Sequence, residues 1–206
     1  PLNLLSMPKF KPSLIAEKNY NIRGKRICNN ILLNLSINLK SKYKRALILD
    51  GSNFNTTKKI FHHDDEINLV NNSFDPNDYV THPKMFGYHQ ELSSFLDEIS
   101  GLFSIAYFDF TGHFNGNKKD RDMNLDPITC IRKITYLLEK EGILFLNFTA
   151  GRGSKGVTCE MWEKELNLLL LDDFKEITFD KYNSAPDDEK DRRKGSTMRY
   201  GFYRKL

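Results

Sequence analysis

The sequence predicts an α/β domain built on a doubly wound, mainly parallel sheet. Three observations carry that expectation. Short apolar runs alternate with amphipathic helical stretches along most of the chain, the pattern of repeated βα units. Several runs are apolar without interruption, as strands covered on both faces require. The chain closes with two further strand-like runs joined by a charged loop that holds no helix.

Residues 1–25 mix Pro1, Pro8 and Pro12 with lysines and are expected to lie as an extended arm on a domain spanning residues 26–206. Within residues 26–43, Ile27, Ile31, Leu35 and Leu39 recur every fourth position, the stripe of an amphipathic helix. RALILD (45–50) reads as a strand, and SNFNTT (52–57) is rich in the residues that cap a helix start. EINLV (66–70) is a second strand, a third lies near 84–87, and a helix covers 90–99. FSIAYFDF (103–110) is the strongest strand candidate, because aromatic and β-branched residues suit a buried pleated surface, and it carries Asp109 to its carboxyl end. A polar loop (113–126) leads to a helix at 128–141, opened by Pro127 and ended by Gly142, and then to the buried strand ILFLNF (143–148). Beyond the Gly-rich stretch 150–156 come a helix at 160–171, a strand at 174–180, a loop of mixed charge at 184–195 and a last strand at 197–203.

The 206 residues are 39% hydrophobic and 28% charged, a globular composition in a chain long enough to bury a real core. Lys and Arg number 31 against 27 Asp and Glu; the net +4 permits a nucleic-acid partner without demanding one. The cysteines Cys28, Cys130 and Cys159 are odd in number, widely spaced and free of a CxxC pattern, which points to a reducing compartment, cytoplasmic or nuclear. No apolar run reaches bilayer length, so no membrane partner is expected. His62, His63 and Asp64 lack a further ligand nearby, and no metal is expected. The abundance of Asn, Lys and Ile suits an AT-rich genome such as that of a virus or parasite.

Ligands of doubly wound sheets sit at the carboxyl ends of the strands, near the point where strand order reverses. The leading helix, the βα steps and the final strand pair resemble the class I S-adenosylmethionine-dependent methyltransferases over residues 26–206. That resemblance implies a Rossmann-like seven-stranded sheet whose C-terminal strand pair is antiparallel, with S-adenosylmethionine as cofactor. In LILDGSNFNTT (47–57), Asp50 and Gly51 look like the acid and glycine of the family's first motif, with Ser52 and Asn53 continuing the loop; Asn53 stands where a second glycine is usual. In the place of the family's ribose-binding acid, Asn71 or Asn72 would hydrogen-bond a hydroxyl, and Phe86 or Tyr88, in FGYHQE (86–91), would offer an aromatic face to adenine.

Asp109, Phe110 and Thr111, in DFTG (109–112), occupy the family's acceptor motif. Enzymes that methylate base amines often carry Asp/Asn-Pro-Pro-aromatic there, and this chain lacks both prolines. Ribose 2′-O enzymes use a Lys-Asp-Lys-Glu set, of which Asp109 matches the Asp. Asn147 ends the next strand and would line the same crevice, and Arg152 and Lys155 in GRGSKG (151–156) would present cations to a nucleic-acid acceptor. Each residue has a plainer use: Asp109 and Asp50 as turn caps, Asn71 and Asn72 as turn formers, and Arg152, Lys155 and the RGKR of residues 23–26 as solvated charge. The expected function is methyl transfer with nucleic acid as the favoured acceptor. The alternative is a catalytically degenerate methyltransferase-like subunit that binds or regulates a partner protein, which the missing glycine and ribose acid favour.

Overall fold

A computed structural model of the chain describes residues 23–40, 45–49, 55–60, 66–70, 85–88, 90–110, 114, 118–149, 159–184 and 197–206. The arm at 1–22, Asp50, Gly51, Ser52, Asn53, His62, His63, Asp64, Asn71, Asn72, Thr111, Arg152 and Lys155 lie outside the described residues.

The central strands β1 (Arg45–Leu49), β4 (Phe103–Asp109) and β5 (Leu138–Thr149) are the apolar runs of the sequence, and they are buried because both faces of the sheet are covered. With β2 (Glu66–Val70), β3 (Met85–Tyr88), β6 (Phe174–Asn183) and β7 (Thr197–Lys205) they form one seven-stranded sheet in the order β3-β2-β1-β4-β5-β7-β6. The pairs β1–β2, β2–β3, β1–β4 and β4–β5 are parallel, whereas β7 runs antiparallel to both β5 and β6. Strand order therefore reverses between β1 and β4, which fixes the crevice at their carboxyl ends.

Period-two alternation along the strands separates two cores. On one face α1 (Arg23–Asn38) and α2 (Asn55–Ile60) bury Cys28, Leu32 and Ile60 against Ile105, Tyr107, Ile143, Phe145 and Phe202. On the other, α3 (Leu92–Glu98), α5 (Pro127–Leu137) and α6 (Cys159–Leu170) cover Phe108, Leu144, Leu146, Phe148 and Tyr203. Between α3 and α5 lies the short α4 (Lys118–Asp122), in a stretch read from sequence as loop.

Several boundaries differ from the sequence reading; β6, expected to end at residue 180, runs on to Asn183. Helix α1 begins at Arg23 and ends at Asn38, so Lys25 belongs to its first turn rather than to an arm. Helix α5 opens as expected, with Pro127 in its first turn and Thr129 donating to the Asp126 carboxylate, but it stops at Leu137, well short of Gly142. Leu138 already pairs with Phe103, and Glu141 takes a left-handed φ of 66° inside the strand. A Cβ on Gly142 would lie 2.8 Å from the Glu139 carbonyl oxygen and 3.1 Å from that of Ser104. Gly142 thus serves a close backbone approach in β5, not a helix end.

Candidate functional site

Asp109 and Asn147 are register partners at the carboxyl ends of β4 and β5, and alternation turns both toward α1, above Tyr107 and Phe145. The Asn147 side-chain nitrogen donates to Asp109 Oδ1 at 2.6 Å and to the Tyr182 hydroxyl at 2.9 Å. A carboxylate only accepts, so the amide must face Asp109 through its nitrogen. Its oxygen, Oδ1, is then left buried without a hydrogen-bond partner among the described residues, in a residue that is 1% exposed. From above, Lys25 Nζ donates to Asp109 Oδ2 at 2.7 Å, with side-chain exposures of 35% for Lys25 and 18% for Asp109.

An ion pair this open to water contributes roughly 0–1 kcal/mol, so the fold does not depend on it. What the pair does is hold a cation and an anion in contact at the mouth of the crevice. Around them the ionisable neighbours are kept neutral: burial pushes the Cys28 thiol and the Tyr182 phenol far up, and the negative charge of Asp109 adds to the shift of each. Below, Asn29 Oδ1 accepts from the hydroxyls of Thr56 and Tyr107, tying α1 to α2 and to β4.

The structure brings two of the expected site residues together, Asp109 and Asn147. Phe110, expected beside the acceptor, is turned by the alternation of β4 to the opposite face, where its ring stacks on Phe148 at 5.2 Å and 13°. Tyr88, expected to cover adenine, packs on Phe95 of α3 at 4.6 Å. Burial raises its pKa, and it ends β3 beside Val70, the last residue of β2, at the carboxyl edge of the sheet. Lys25 and Tyr182 escaped sequence reasoning. Lys25 sits in the basic RGKR stretch, which gave a signal of charge but not of place, and nothing in the sequence around Tyr182 marks it.

Among the described residues no three or more His, Cys, Asp or Glu gather as a metal site, and no helix is long and apolar enough to cross a membrane. The stretches expected to bind the cofactor, 50–53 and 71–72, come next in sequence after β1 and β2 and lie outside the described residues.

No protein-family model and no curated protein sequence matches the chain. Solved structures do resemble it. An rRNA methylase from Streptococcus thermophilus superposes with a TM-score of 0.60 at 12% identity, over 86% of this chain and 96% of that one. The N-methyltransferase NodS from Bradyrhizobium japonicum, solved with S-adenosylhomocysteine, gives 0.57 at 13% identity over 89% and 88%. The 1,6-didemethyltoxoflavin-N1-methyltransferase of Burkholderia thailandensis gives 0.52 at 14% over 93% and 85%. With strand order reversing between β1 and β4, β7 inserted antiparallel and these likenesses, the chain has the Rossmann-like fold of the class I S-adenosylmethionine-dependent methyltransferases.

Proposed function

We propose that the protein transfers a methyl group from S-adenosylmethionine to a hydroxyl of a nucleic acid. The observation that carries the reading is the Lys25–Asp109 pair, seated on Asn147 at the carboxyl ends of β4 and β5. The structural neighbours include an rRNA methylase and a 1,6-didemethyltoxoflavin-N1-methyltransferase, so the fold leaves the acceptor open and the chemistry of the site must choose.

S-adenosylmethionine, when bound, supplies a methyl group already activated on a sulfonium, so the protein's task is alignment and proton handling. Each oxygen of Asp109 keeps a lone pair beyond those engaged by Lys25 and Asn147, and can accept the hydrogen of an incoming hydroxyl. In that transfer Asp109 would take the hydroxyl proton, and the Lys25 ammonium would stabilise the negative charge growing on the acceptor oxygen. An amine acceptor would need the carboxylate but not the cation. Arg23 and Arg26 flank Lys25 on the first turn of α1, which suits a phosphate backbone at the rim. Asp50, Gly51, Ser52, Asn53, Asn71 and Asn72 remain the residues expected to hold the cofactor, and Arg152 and Lys155 those expected to contact the acceptor.

The test is calorimetric titration with S-adenosylmethionine and S-adenosylhomocysteine, followed by labelled methyl transfer to RNA and DNA. Lys25→Met is expected to keep cofactor binding and to lower transfer roughly hundredfold, the cost of removing one preorganised charge donor. Acceptor binding should weaken steeply with salt, in proportion to the phosphates contacted. Failure to bind either cofactor form, or transfer that Lys25→Met leaves unchanged, would refute the reading. A second reading, a subunit that binds the cofactor without turnover, is favoured by both Asp109 oxygens being engaged within the chain; it predicts titratable binding and no transfer to any acceptor.

A further inference from the structure

Four contacts and one peptide bond close into a ring at the site. Lys25 bonds Asp109, Asp109 bonds Asn147, and Asn147 bonds the Tyr182 hydroxyl. The Tyr182 ring in turn lies against Gly24, which is joined to Lys25 by the peptide bond. The Tyr182–Gly24 approach is unusually close: a Cβ on Gly24 would fall 2.0 Å from Tyr182 Cγ and 2.5 Å from its Cβ. The helix start therefore lays its bare backbone against the Cβ–Cγ end of the Tyr182 side chain, a position no other residue can take without moving α1 or Tyr182.

Tyr182 belongs to the edge strand β6, and β7 lies between β6 and β5, which carries Asn147. Neighbouring strands are about 4.8 Å apart, so bridging from β6 to Asn147 means leaning across a whole strand. Tyr182 does so above Tyr200, with ring centroids 6.0 Å apart, and its length is what lets the hydroxyl arrive. We propose that Tyr182 is a positioning residue of the reaction site, its hydroxyl orienting Asp109 through Asn147 and its ring setting Lys25 through Gly24. The role rests on the proposed methyl transfer for its consequence, but the arrangement itself is readable without turnover.

Both arms act on the same ion pair from opposite sides. Asn147 spends both amide hydrogens, one on Asp109 and one on Tyr182, so loss of the hydroxyl frees the amide to rotate away from the carboxylate. Being held neutral by burial and by Asp109, Tyr182 offers the same hydrogen-bonding form throughout the physiological pH range and contributes no titration of its own.

The experiment compares the wild-type protein with Tyr182→Phe and Gly24→Ala by turnover, KM, thermal midpoint and the NMR signals of the Asn147 side-chain amide and the Lys25 ammonium. Tyr182→Phe keeps the ring under Gly24; it should displace the Asn147 amide resonance and lower kcat about tenfold, the scale of one lost hydrogen bond, at unchanged KM for S-adenosylmethionine. Gly24→Ala favours the helix by propensity yet pushes α1 off the ring, so it should perturb the Lys25 signal and lower kcat. A purely structural role would move the midpoint alone. Unchanged Asn147 and Lys25 signals in the two variants overturn the proposal, as does unchanged kcat in an active protein. If the wild-type protein transfers no methyl group, the proposed function fails, and the two resonances still decide whether Tyr182 holds the pair.

Discussion

Asp109→Ala is expected to reduce methyl transfer by roughly two to four orders of magnitude, the range for removing a positioned proton-handling group. The carboxylate meets both Lys25 and Asn147, so its loss removes the acceptor's hydrogen-bond partner and the Lys25 ion pair in one step. The fold should survive. Lys25 is a third exposed and can turn to water, but the buried Asn147 amide would keep an unpaired hydrogen, at a cost of about 1–3 kcal/mol. For a chain of this size that lowers the thermal midpoint by roughly 2–4 °C per kcal/mol, which leaves a folded protein at assay temperature. Labelled methyl transfer measured beside a melting curve separates the two effects. Turnover equal to wild type would remove Asp109 from the mechanism, and a collapsed melting curve would make it a structural residue instead.

Legibility followed the range of the interactions. The strands could be read because runs such as 105–108 and 143–146 are continuously apolar, and burial on both faces demands that locally. The C-terminus of α5 could not, because both a helix end and a tight strand bend call for glycine; only the proximity of the Ser104 carbonyl, brought in by β4, shows which one Gly142 serves. Asp109 and Asn147 were legible as strand-end polar residues, since the architecture itself places strand ends at the crevice. The face a residue takes after the last strand position was harder: Phe110 follows Asp109 in sequence and for that same reason points away from it. Lys25 lies 84 residues from Asp109, and Tyr182 lies 35 from Asn147. No local pattern encodes such pairings, which exist only once the sheet has assembled and α1 has docked upon it.

The site's precision should also depend on what lies beneath it, and Phe145→Ala is expected to produce the largest stability loss of any substitution near the crevice. Phe145 is 1% exposed, stacks on Tyr107 at 4.0 Å and 11°, and touches the Phe202 ring at 4.7 Å. It stands two positions before Asn147 on the same face of β5, so its ring is the floor under the polar cluster. Removing a core phenylalanine costs about 3–5 kcal/mol, through lost transfer energy and the cavity left behind. Against a total stability of roughly 5–15 kcal/mol this is a large share, and the midpoint should drop by roughly 10 °C. Thermal unfolding monitored by far-UV circular dichroism checks it; a midpoint within a degree or two of wild type would mean that the strands close over the gap. Because neighbouring aromatic rings would relax into the cavity, the effect should reach upward as well. Asn147 would lose the support that keeps its amide between Asp109 and Tyr182, so turnover should fall even where the variant remains folded.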